Sequence, residues 1–192
     1  FYIDGMSEQV ELPRNTQLPE YGQDLLIGSN FGQITFAGLV REVRVWAQAI
    51  DPTDIERRRH RPLAPNERTG LLGYWPLDEI DKILLNNISR AIAIDQSSNK
   101  NDLFLGGDFE NYQPTRKDLV GLVKDQTVQP VGTVIELDGN DDVIIVENYS
   151  RDQWRSDLNQ GNQEGHAASV GLGLYERLTL EMWFRPSDIN LH

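Results

Sequence analysis

The sequence predicts an all-β protein, an antiparallel sandwich with one short helix. Three observations carry that expectation. Runs rich in Val, Ile, Leu and aromatic residues are short and frequent. Each is bounded by Gly, Pro, Asn or Asp, the residues that supply turn geometry. The best of them alternate with period two, the pattern of a strand with one buried face.

Taken in order, the strand runs are FYIDG (1–5), DLLIGSN (24–30), ITFAGLVREVRVWAQAI (34–50), GLLGYWPL (70–77), NDLFLGG (101–107), TVIELDG (133–139), DVIIVENYS (142–150) and RLTLEMWFRPS (177–187). In the last, Leu178, Leu180, Met182 and Phe184 fall on one face, with Thr179, Glu181, Trp183 and Arg185 on the other. In 38–48, Leu39, Val43 and Val45 oppose Val40, Glu42, Arg44 and Trp46. The aliphatic faces are expected in a core. The helix is signposted at Asp51-Pro52-Thr53-Asp54, an N-cap acceptor, a proline at the first helical position and an acidic first turn. Pro62 ends it. Two polar stretches, 108–130 and 150–169, read as long connections.

Composition limits the partners. The 192 residues suffice for one good-sized domain or parts of two. A net charge of −12 argues against nucleic-acid or anionic-membrane binding, which needs clustered Lys and Arg. The one basic run, residues 56–61, reads as cations at the end of a surface helix. There is no cysteine, so disulfides, thiolate zinc sites and a Cys nucleophile are excluded. No stretch approaches the length of a bilayer span. The opening FYIDG reads like the middle of a strand, the expectation for a window of a longer polypeptide.

The order GLLGYWPLDE, DQSSNKNDLFLGG, VIELDGNDDVIIVENYS, LTLEMWFRPS resembles the opening half of a laminin-G-like jelly-roll domain of the concanavalin A-like lectin and glucanase superfamily. Before it, FYIDGMSEQV, LLIGSN and FAGLVREVRVWAQAIDPTDIE resemble the closing half of another. The resemblance implies a jelly-roll sandwich and two segments, 1–66 as the tail of one repeat and 67–192 as the head of the next. In the alternative, a circular permutation, tail and head close into one sandwich.

The glucanases of that superfamily carry Glu, then Asp two residues on, then a second Glu two or three further. Glu79 and Asp81 match the first half, but Ile83 and Leu84 stand where the second Glu would be. Without it no carboxyl group is left to protonate the leaving oxygen. The three histidines, His60, His166 and His192, have no Gly-x-Ser-x-Gly elbow or Cys partner, and there is no zinc helix or phosphate loop. No enzyme activity is expected.

Oxygen-rich turns are the raw material of calcium sites. Asp138, Asp141 and Asp142 crowd one hairpin turn, and Asp95, Asn99 and Asn101 lie in a second cluster; both are candidate calcium ligands, as well as ordinary turn formers. For glycan contact the candidates are Trp154 and Arg155 in the polar 150–169 stretch. Trp46 and Trp183 are expected to face solvent or a second layer, and Trp75 to pack near the junction. Asn87 and Asn148 begin Asn-x-Ser sites.

The resulting expectation is a non-catalytic tandem module of a secreted or cell-surface protein, in adhesion or matrix assembly. Its partners would be a glycan or an extracellular protein, with neighbouring copies of itself as a further partner. A carbohydrate-binding module attached to an enzyme and a structural subunit of an extracellular filament or sheath are the alternatives.

Overall fold

The longest strand run organises the molecule. In the computed structural model, which describes residues 2–3, 6–8, 25–28, 35–59, 61–85, 88–106, 115–118, 133–140, 142, 144–146 and 178–187, residues Ala37–Trp46 form one continuous strand. The strands in chain order are β1 (Tyr2–Ile3), β2 (Met6–Ser7), β3 (Leu25–Ile27), β4 (Ala37–Trp46), β5 (Leu71–Trp75), β6 (Ile80–Leu85), β7 (Ile88–Ala93), β8 (Leu103–Leu105), β9 (Thr115–Asp118), β10 (Thr133–Asp138), β11 (Ile144–Val146) and β12 (Thr179–Pro186). Helix α1 (Pro52–Arg58) and a 3₁₀ turn at Pro65–Glu67 lie between β4 and β5.

Among the described residues every pairing is antiparallel. One five-stranded sheet runs β12-β4-β10-β9, with β5 also on β4; the other runs β3-β11-β8-β7-β6; β1 and β2 make a small separate hairpin. Among the described residues the protein is thus all-β with one α-helix. On one side of β4, β12 runs along nearly its whole length. On the other, β10 takes its first half (Leu137 with Gly38) and β5 its second (Arg44 with Tyr74).

Both large sheets contain strands from either side of the expected division after Asn66: β4 pairs with β5, β10 and β12, and β3 pairs with β11. Both sheets supply the main core, with Ile27, Val40, Val43, Val45, Trp75, Leu103, Leu105, Ile135, Leu137 and Ile144 in one cluster. Trp75 is fully buried in it, opposite Val43 of β4. Its ring lies where Gly73 has no side chain, a Cβ there would run into it, and its indole N–H donates to Asn101 O at 2.8 Å. Removing such a ring from a core costs about 3–5 kcal/mol.

Strict alternation fails in β4, and the cause is local. Glu42 has φ +54, and between the pairs Arg44–Glu181 and Arg41–Trp183 two β4 residues stand against one of β12. That is a β-bulge, which resets the faces. Val40 therefore joins Val43 and Val45 in the main core, while Leu39 packs on the other face with Val134 and Trp183. Of the apolar set 178, 180, 182 and 184 only Met182 packs on the main core; Leu178, just before β12, and Leu180 and Phe184 on it stay exposed, contrary to the expectation for that face.

Two further expectations are corrected. Residues 80–85 and 88–93, outside the strand runs read from sequence, form β6 and β7, paired with each other with Leu85 opposite Ile88. The stretch 108–130 contains β9, paired with β10.

Candidate functional site

Helix α1 starts as its sequence dictates: Asp51 accepts from the Thr53 N–H at 2.8 Å, and Pro52 opens the first turn. Its basic end turns inward. Arg58 is buried with its guanidinium 4.9 Å from the Trp46 ring centre, so this part of the basic run is not a surface feature. Trp46, Leu63, Leu71 and Tyr74 form a second small core beneath the helix and the chain that follows it.

Beside this second core lies a buried charged layer. The Arg44 guanidinium donates to Glu42 Oε2 at 2.7 Å, to Glu181 Oε2 at 3.2 Å and to the carbonyl of Arg61 at 2.7 Å. Tyr74 donates its hydroxyl proton to Glu42 Oε2 at 3.0 Å and accepts from the Leu63 N–H at 3.1 Å. Burial and the neighbouring Glu42 charge push Tyr74 up to about 12, so it stays protonated at neutral pH. Glu42 Oε1 has no hydrogen bond and lies 3.6 Å from the Arg41 guanidinium. Charged residues inside VREVRVW thus tie β4, β5, β12 and the helix together. The signal was the Glu42/Arg44 spacing of two within an apolar run; what covers that face is not visible in the sequence.

The Asp95 cluster is a turn closed around one carboxylate. Asp95 is fully buried. Its Oδ1 accepts from the N–H groups of Tyr74 at 2.9 Å and Ser97 at 2.8 Å, and its Oδ2 from the Ser97 hydroxyl at 2.7 Å and the Asn101 N–H at 2.8 Å. Burial raises the Asp95 carboxyl above its ordinary value, against the pull of those same bonds. Asn99 and Asn101 turn their amide groups to the backbone, donating to Leu71 O and Leu72 O. Four donors on two carboxylate oxygens fill the acceptor sites a cation would need. The set does not fit a calcium ion; it pins the β7–β8 connection to β5.

The second turn is exposed at Asp138 and Asn140, while Asp142 is buried. Asp138 accepts from the Asn140 N–H at 2.8 Å and its amide nitrogen at 3.1 Å, and Asp142 Oδ2 accepts from the Asp138 N–H at 2.7 Å. Gly139 takes φ +83, which a residue without Cβ adopts at no steric cost. These bonds shape the turn. Asp141 lies outside the described residues, and among the described residues no three acidic or histidine side chains converge to hold a metal.

Glu79 is exposed before β6, and Asp81 is exposed on it, opposite Ile92. Trp154, Arg155, His60, His166, His192, Asn87 and Asn148 all lie outside the described residues. Among the described residues no helix is long and apolar enough to cross a membrane. The sequence matches no protein-family model, and no curated protein or solved structure matches it.

Proposed function

We propose that the chain is a laminin-G-like jelly-roll sandwich acting as a non-catalytic extracellular module, secreted or on a cell surface, that presents its loops to a glycan or an extracellular protein. The observation that carries this reading is the direct pairing of β4, from the closing-type motif, with β5, from the opening-type motif: Val43 with Trp75, Arg44 with Tyr74 and Val45 with Gly73. A single sandwich assembled from 1–66 and 67–192 requires that adjacency. A core shared by both sheets accords with it.

The charged groups of the molecule favour display over catalysis. Arg44, Glu42 and Glu181 bond to one another beneath the helix, and the exposed Glu79 and Asp81 have apolar Ile83 and Leu84 where a second glutamate is needed. The reading assigns ligand contact to Trp154 and Arg155, with affinity built by repetition of the module.

The test is labelled protein on a glycan array and on immobilised extracellular-matrix proteins. The expected result is saturable binding to one glycan class or one matrix protein, weakened about tenfold by Trp154→Ala, a loss of about 1.4 kcal/mol, with an unchanged thermal transition. No binding on either surface, or cleavage of any arrayed glycan, would overturn the reading.

A further inference from the structure

We draw no further inference here: the strongest candidate, the surface patch of exposed Leu180 and Phe184 on β12 with Leu178 just before it, carries nothing because nothing in the structure shows what covers it.

Discussion

The turn at Asp95 and the turn at Asp138 begin alike: each aspartate accepts from the N–H two residues on, Ser97 in one and Asn140 in the other, at 2.8 Å in both. They then diverge. Asp95 is fully buried and also holds Tyr74 of β5 and Asn101 before β8, so its carboxylate joins elements far apart in sequence. Asp138 is exposed and its bonds to Asn140 stay within the turn. The same local chemistry is an internal tether in one place and a surface turn in the other, and what separates them is the number of donors that water cannot replace.

The largest effect expected from that difference is at Asp95. Asp95→Ala strands three buried backbone N–H groups, each costing about 1–3 kcal/mol. After partial relaxation, urea unfolding should register a loss on the order of 3–5 kcal/mol. Ser97→Ala removes one hydroxyl donor and should cost about 1 kcal/mol. Asp138→Ala leaves the Asn140 groups to water and should cost about 0.5 kcal/mol. A loss at Asp138 as large as that at Asp95 would break the comparison.

A third carboxylate sharpens it through pH. Glu67 accepts from Arg61 at 2.6 Å through both oxygens and from the Ala64 N–H at 3.0 Å; these bonds, the Arg61 ones foremost, hold its pKa down at about 2 against an ordinary 4.5. Its folded pKa lies below the unfolded one, so its contribution is complete above pH 4.5 and is lost as pH falls toward about 2. Glu67→Gln should flatten the acid limb of the stability–pH curve in that window. An unchanged acid limb would mean that the pair with Arg61 contributes nothing.

Much of this was legible in the sequence, and the exceptions have definite causes. The Asp51-Pro52 start of the helix appears as read, because capping depends only on neighbouring residues. Most strand runs appear as well. The faces of β4 depart from strict alternation because of the bulge at Glu42, which arises where β4 pairs with β12, a non-local constraint. The β6–β7 hairpin escaped because IDKILL and ISRAIA mix Lys, Arg and Ser into apolar runs. The inward turn of Arg58 onto Trp46 likewise needs the second core that helix and strand build together. In the Asp95 cluster the sequence showed which residues were acceptors; which of them would be buried, and so committed to internal donors, is decided by the packing of β5 against the loop.

The smallest expected effect is the most direct test: thermal unfolding in calcium and again in chelator. Both Asp-rich turns are held by their own N–H and O–H donors, and the predicted result is the same transition in both solutions. A rise in calcium that disappears when Asp138, Asp141 and Asp142 are replaced would contradict it and make the exposed turn a cation site.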